Sequence, residues 1–284
     1  MGRTKAQVLR SIKQDEIADI ACADLTSRDI VALAGRLGQS RTPATVANYL
    51  SHLRAVIAIA EPAWGFLVDE KIMVDTFKVT KRLGMTGKSK QRDRRPTLDE
   101  LDKLLSYFEA GRRKRPRSMP MAAICAFALF SARREEEITT ILWDDLDVEG
   151  RRVLVRDMKD PQNKDGNHMW CELPEEALRI AQAQPRTAAQ IFPYNHRTVC
   201  ANMTRATHFL EIENLHFHDL RHEGVSRLCE MGKTIPQAAS VSGHRNWNTL
   251  KRYAHIRQVG DKYEGWPWLD KLAPKPTEGS SAAA

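Results

Sequence analysis

The stretch Met119–Ser131 (MPMAAICAFALFS) carries no charge and is apolar all round. A helix of that pattern must be enclosed on every side, so it marks the centre of a domain rather than one of its faces. It runs directly into Arg133-Arg134-Glu135-Glu136-Glu137, and then into Ile138, Ile141, Leu142 and Trp143. Charges beside the most buried helix of a chain are costly unless they are paired or functional.

Around this helix the chain reads as two domains. Residues 1–83 form a helical unit. Asp24-Leu25-Thr26-Ser27 offers an N-cap for a helix over 28–37 that ends at Gly38. Thr42-Pro43 opens a clearer helix whose Val46, Leu50, Leu53, Ile57 and Ala60 make one stripe, punctuated by Pro62 and Gly65. A further helical segment covers 69–83. Residues 84–96 (GMTGKSKQRDRRP) are basic and nearly free of apolar side chains, which predicts an exposed interdomain linker. Gly87-Lys88-Ser89 imitates the end of a phosphate-binding P-loop, but Arg82 stands where the first glycine belongs and a helix precedes it, so that motif is rejected.

The second domain, 97–272, opens on the capping box Thr97-Leu98-Asp99-Glu100 and the stripe Leu98, Leu101, Leu105 and Phe108. Arg112–Arg117 (RRKRPR) reads as a basic loop. Residues 151–156 and 168–173 alternate as strands around the polar turn 160–167, an antiparallel hairpin. Helices follow near 174–183 and 197–212, and 273–284 reads as a low-complexity, disordered tail. The fold class is mainly α with a small antiparallel β-sheet.

Composition narrows the function. Of 284 residues, 42% are apolar and 28% charged, an ordinary globular balance, while a net charge of +8 favours a polyanionic partner, nucleic acid or an anionic membrane surface. The five cysteines are scattered and never in CxxC spacing, which points to a reducing, cytoplasmic setting without a disulfide framework. His168 with Cys171, and His196 with Cys200, each lack a second pair at metal-finger spacing, so no metal or other cofactor is expected. No signal pattern and no apolar run of membrane-spanning length is present.

The remaining stretch, His218–Tyr253, reads HDLRHEGVSRLCEMGKTIPQAASVSGHRNWNTLKRY. His218 and Arg221, three apart at a helix start, point to one face. An apolar segment after Gly232 runs to Ser242, then Gly243-His244, and Tyr253 follows on what reads as another helix. This order (H-x-x-R, then G-H, then Tyr nine residues on) resembles the C-terminal signature of the tyrosine recombinase, or phage integrase, family. Upstream, Ser131-Ala132-Arg133-Arg134-Glu135-Glu136-Glu137-Ile138 resembles the family's T-G-x-R-x-x-E-[IL], with Ser-Ala in place of Thr-Gly and Glu136 where a small residue is usual.

The resemblance, which covers about 97–257, implies a helical core-binding domain followed by an integrase-type catalytic domain, together clamping duplex DNA. It implies a site-specific recombinase that cleaves and rejoins DNA through a 3′-phosphotyrosine, without metal or ATP, as a tetramer on DNA, with room for DNA-bending accessory proteins. Arg134 and Arg221 are then the phosphate clamps and Glu137 the acid that holds them. Lys159, in preference to Lys164, protonates the departing 5′ oxygen. His218 is a base or hydrogen-bond partner near the tyrosine, His244 bonds the phosphate, and Tyr253 is the nucleophile. Lys88, Lys90, Arg92, Arg94, Arg95, Arg112, Arg113, Lys114 and Arg115 are candidates for contact with the DNA backbone. Residues 257–272 are expected to dock onto a neighbouring protomer, and no arm-type module is expected before Met1. A type IB topoisomerase-like relaxase, or a non-catalytic DNA-binding protein of the same fold, is the alternative.

Overall fold

The computed structural model describes residues 2–89, 91–158 and 166–275. Lys90, Lys159, Lys164 and the expected tail from 276 onward lie outside them. The chain divides into two compact units, Met1–Arg92 and Asp93–Ala284. No helix among the described residues is long and apolar enough to cross a membrane.

The first unit is four helices: α1 (Arg3–Lys13), α2 (Ser27–Gly38), α3 (Pro43–Trp64) and α4 (Lys71–Arg82). Thr26 and Asp29 cap α2 reciprocally, and Thr42 caps α3 ahead of Pro43. Val46, Leu50, Ile57 and Ala60 of the expected stripe are buried, with Ile30, Leu33 and Met73 facing them across one core. Pro62 does not end α3; the helix continues to Trp64 and stops where Gly65 turns left-handed. The start of the expected linker belongs to this unit, because Met85 packs on its core and the Gly87 N–H donates to the Pro43 carbonyl at 3.3 Å.

The second unit comprises α5 (Leu98–Lys114), α6 (Met121–Ser131), α7 (Glu135–Thr140), β1 (Leu146–Asp147), β2 (Arg152–Val155), β3 (Met169–Glu172), α8 (Glu175–Gln182), α9 (His196–Phe209), α10 (Phe217–Glu230), α11 (Ile235–Ser242) and α12 (Pro267–Leu272). Every residue of α6 is buried, as its composition demands, with α5, α8, α9, α10 and α12 packed around it. Each large side chain on α6, such as Phe127 or Phe130, contributes roughly 1.5–3 kcal/mol by burial. The strands form one antiparallel sheet in the order β1-β2-β3, with Val153 opposite Cys171 and Val155 opposite Met169. Arg112–Lys114 are the last turn of α5 rather than loop, where their charge suits the negative end of the helix.

Arg94 ion-pairs with Glu100, and Arg95 binds Glu223 at 2.6 Å and Glu230 at 2.7 Å, so both guanidiniums are engaged inside the unit. The cause is Glu223, wholly buried, whose carboxylate requires cations and takes Lys262 at 2.6 Å as well. The segment expected to reach a neighbouring protomer packs on its own unit: Tyr263, Trp266 and Trp268 are buried beside α6, and the Trp266 indole N–H donates to Asp102 at 2.9 Å.

The contact that brings the two halves of the catalytic motif together is α6 against α10. At Gly224 the helices approach so closely that an added Cβ would overlap the Leu129 carbonyl oxygen and sit 3.3 Å from Ala132 Cβ. Gly224→Ala should therefore cost roughly 1–3 kcal/mol in chemical denaturation, because backbone must move. Gly111→Ala, in α5 with open space around it, should add about 0.5–1 kcal/mol. Equal stability of the two variants would contradict this account of the helix contact.

Candidate active site

The site starts where α6 ends. Ala132 takes the left-handed conformation (φ 51°) and turns the chain, so that Arg133 points inward and Arg134 stands at the start of α7. The two adjacent arginines thereby acquire different environments. Arg133 is enclosed, donating to the Ser131 carbonyl at 3.3 Å, to the Val241 carbonyl and to Cys171 Sγ at 3.1 Å. It ties the end of α6 to α11 and β3. Arg134 keeps 30% of its side chain exposed and reaches Glu137 at 2.5 Å.

Glu137 collects the charges. Its carboxylate lies 3.6 Å from Arg133, 2.5 Å from Arg134 and 3.9 Å from Arg221, and it accepts the Arg134 backbone N–H at 3.2 Å. Burial by itself would raise its pKa, but Arg133, Arg221 and Arg134 together hold it below the usual carboxylate range. Three guanidiniums thus face one carboxylate, leaving a buried excess of positive charge. Arg221, 3% exposed, donates to the Ala132 carbonyl from α10. Burial, then Arg133 and Arg134, push it down to about 9. It remains charged at neutral pH, in surroundings that favour an arriving anion.

His244 is delivered by Gly243, which ends α11 in the left-handed region (φ 69°). The left-handed φ favours glycine, and a Cβ there would lie 2.6 Å from Met158 Cε and 3.1 Å from Arg133 Nη1, so a larger residue would be strained and would displace the Met158 end. Ser242 Oγ donates to the Ala238 carbonyl and lies 2.7 Å from His244 Nδ1. Arg221 Nη2 lies between the two ring nitrogens, 3.3 Å from Nδ1 and 3.2 Å from Nε2. Burial, Arg221 and Arg134 lower its pKa to about 3.

Tyr253 does not lie on an α-helix. It ends the second of two single 3₁₀ turns, Trp247–Thr249 and Lys251–Tyr253. Its ring is buried in a pocket of Ala132, Val225, Leu228, Ala238 and Leu250. Burial raises the phenol pKa, while Arg252 and Arg221 oppose the rise. The hydroxyl meets His222 Nδ1 at 2.7 Å. The sequence reading missed His222, although it follows Arg221 directly and, four residues after His218, shares its helix face. His218 packs edge-on against the His222 ring, with centroids 4.8 Å apart, and His222 is the one that bonds the phenol.

Arg134, Glu137, Arg221, His244 and Tyr253 are thus brought together, with His218 one ring behind. Lys159 falls outside the described residues; the base of its hairpin is closed by Met158 N–H donating to the Asn167 carbonyl at 2.9 Å, and Met158 borders Gly243. Among the candidate phosphate contacts, Lys88, Arg113, Lys114 and Arg115 are exposed and Arg92 is half-buried. Arg112 donates to the Ser118 carbonyl at 3.1 Å.

The shifts fix a pH dependence. Burial and neighbouring positive groups lower His222 to about 4 and His244 to about 3, and His218 also moves down. Below the unfolded value of about 6.5 the unfolded chain binds protons that the folded site refuses, so stability falls as pH drops. Denaturant titrations should show this loss beginning near pH 6.5, with a shallower slope in His222→Gln. Stability flat between pH 7 and 4.5 would contradict the buried neutral imidazoles. Glu137 adds its own loss at lower pH, as its depressed carboxylate is protonated.

The phage integrase family profile matches residues 94–259, nearly the whole span of the site and its core. A shufflon-specific DNA recombinase of Escherichia coli is 31% identical over 272 residues, 95% of this chain; the chain spans 64% of that relative's length. In three dimensions the chain is similar to a Tn1549 transposon integrase in complex with transposon right end DNA (TM-score 0.68, 16% identity, 89% of each chain). It is also similar to a lambda integrase tetramer bound to a Holliday junction (TM-score 0.64, 17% identity, 92% of this chain and 72% of that one). These structures share the fold. With the family match covering more than half of the chain, and the arginines, histidines and tyrosine of its motifs gathered around one buried carboxylate, the chain belongs to the phage integrase family.

Proposed function

We propose that this protein is a site-specific DNA recombinase that cleaves and rejoins duplex DNA through a 3′-phosphotyrosyl intermediate at Tyr253. The observation that carries the reading is the convergence of Arg134, Arg221, His244 and the Tyr253 phenol, where the guanidiniums outnumber the one Glu137 carboxylate between them. A phosphodiester resists attack because negative charge builds on the non-bridging oxygens of a five-coordinate phosphorus. Two fixed guanidiniums offset that charge without reorganising, and in a water-poor pocket they do so more strongly than in solution.

In the proposed reaction the Tyr253 oxygen attacks phosphorus, the bond to the 5′ oxygen breaks, and the 3′ end stays on the enzyme. Lys159 supplies the proton for the departing oxygen, His244 bonds a phosphate oxygen, and Glu137 keeps Arg134 and Arg221 aimed at it. His218 acts behind His222 rather than directly on the phenol. The phosphoester is conserved, so rejoining to another strand consumes no ATP. Two such exchanges complete recombination, and four protomers on DNA would supply the four tyrosines that both exchanges use; the structurally similar lambda integrase is a tetramer bound to a Holliday junction. The exposed Lys88, Arg113, Lys114 and Arg115 contact the backbone, which makes binding steeply salt-dependent.

Covalent trapping on nicked duplexes taken from DNA flanking the gene tests the proposal. Wild type should give a denaturation-resistant 3′-linked adduct that Tyr253→Phe lacks, and Arg221→Ala should form it about 10²–10³-fold more slowly. Adduct formation by Tyr253→Phe would refute the tyrosine assignment. DNA binding without any adduct would favour a non-catalytic binding protein. Relaxation of supercoiled DNA carrying no second site would favour a topoisomerase.

A further inference from the structure

The hydrogen bond between Tyr253 and His222 places a group at the nucleophile that the family motifs do not include. His222 Nδ1 is 2.7 Å from the phenol oxygen. A phenol at neutral pH carries its proton, and in the tautomer with the imidazole proton on Nε2 the hydroxyl donates to the Nδ1 lone pair. The ring is fixed from three sides. It belongs to the interior of α10, it meets His218 edge-on, and Tyr253 is held by its own apolar pocket.

We propose that His222 is the base that takes the Tyr253 proton during attack on phosphorus and returns it when the strand is rejoined. This rests on the cleavage reading above. In the step, the Oη–H bond breaks and the proton moves to Nδ1 as the Oη–P bond forms. The P–O5′ bond breaks, and the departing oxygen takes its proton from the lysine assigned to it above. Rejoining reverses each transfer, so His222 begins and ends neutral.

The groups around His222 explain why it would act only with DNA in place. Facing it are His218, Asp219 and Arg221 on its own helix and Arg252 on the tyrosine segment. In the free protein, burial, His218, Arg252 and Arg221 disfavour an imidazolium, and Asp219 favours one. The single negative charge of a scissile phosphate seated on Arg221 offsets one of the opposing positive charges. Proton affinity at Nδ1 therefore rises when the electrophile arrives, and the tyrosine stays protonated until then.

His222→Asn separates a base from a support, because the Asn amide oxygen can still accept the phenol's hydrogen bond but has negligible proton affinity. Its adduct formation should slow by about 10²–10⁴-fold, with folding stability and DNA affinity retained. A 5′-bridging phosphorothiolate, whose leaving group needs no acid, should not restore it. Tyr253→3-fluorotyrosine, with a more acidic phenol, should restore at least tenfold, and the variant's rate should keep rising with pH where wild type levels off. His222→Gln provides a second variant with the same expectation. Wild-type rates in both variants, or a loss that neither fluorination nor pH changes, would overturn the base assignment and leave Tyr253 as nucleophile. Absence of any Tyr253 adduct in wild type would instead overturn the cleavage reading, and the base with it.

Discussion

One buried carboxylate against three guanidiniums is the interaction on which the site depends. Without Glu137, Arg133 and Arg221 would be two buried like charges under a hydrophobic helix end, at a cost of several kcal/mol each, with the partly exposed Arg134 beside them. With it, Arg133, Arg134 and Arg221 are held at 3.6, 2.5 and 3.9 Å from its oxygens, and the remaining imbalance is positive. That imbalance favours an anion, and in the proposed reaction a phosphodiester supplies the negative charge along with acceptor oxygens for the guanidinium forks. The cost of assembling the cluster is met during folding, so the arginines need not reorganise as charge develops.

That cluster exists only because a wholly apolar helix carries it. α6 is the axis of its unit, and its last residue leads through left-handed Ala132 to the two arginines. Gly224 lets α10 lie against α6 closely enough for Arg221 to bond the Ala132 carbonyl. Gly243 does the same for His244 against β3. Gly224 by its close contact and Gly243 by its left-handed turn thus set the depth at which Arg221 and His244 enter, which ties core packing to the geometry of the proposed reaction.

Much of this was legible in the sequence. The composition of Met119–Ser131 gives the buried helix, the Thr97 and Thr42 caps give helix starts, and the spacing of His218, Arg221, His244 and Tyr253 gives the chemistry. What escaped was decided by tertiary contacts. α1 has only Val8, Leu9 and Ile12 to mark its buried face, β1 is two residues long, and the Tyr253 segment is 3₁₀ rather than α because it must wrap into a pocket. The ion-pair partners of Arg94 and Arg95, Glu100, Glu223 and Glu230, are set by the fold. His222 was hidden by sitting next to a better-known pair; only its ring contact with the Tyr253 hydroxyl distinguishes it from a surface histidine.

The central claim is that Arg134 and Arg221 act by offsetting negative charge on the scissile phosphate. It is tested most directly by trapping wild type, Arg134→Ala and Arg221→Ala on duplexes whose scissile phosphate is either natural or a neutral methylphosphonate. The account predicts that each arginine variant loses orders of magnitude on the natural phosphate and that most of the deficit disappears on the methylphosphonate, where the charge is absent. An equal deficit on both substrates would contradict it, and would make the arginines structural supports of the Glu137 cluster.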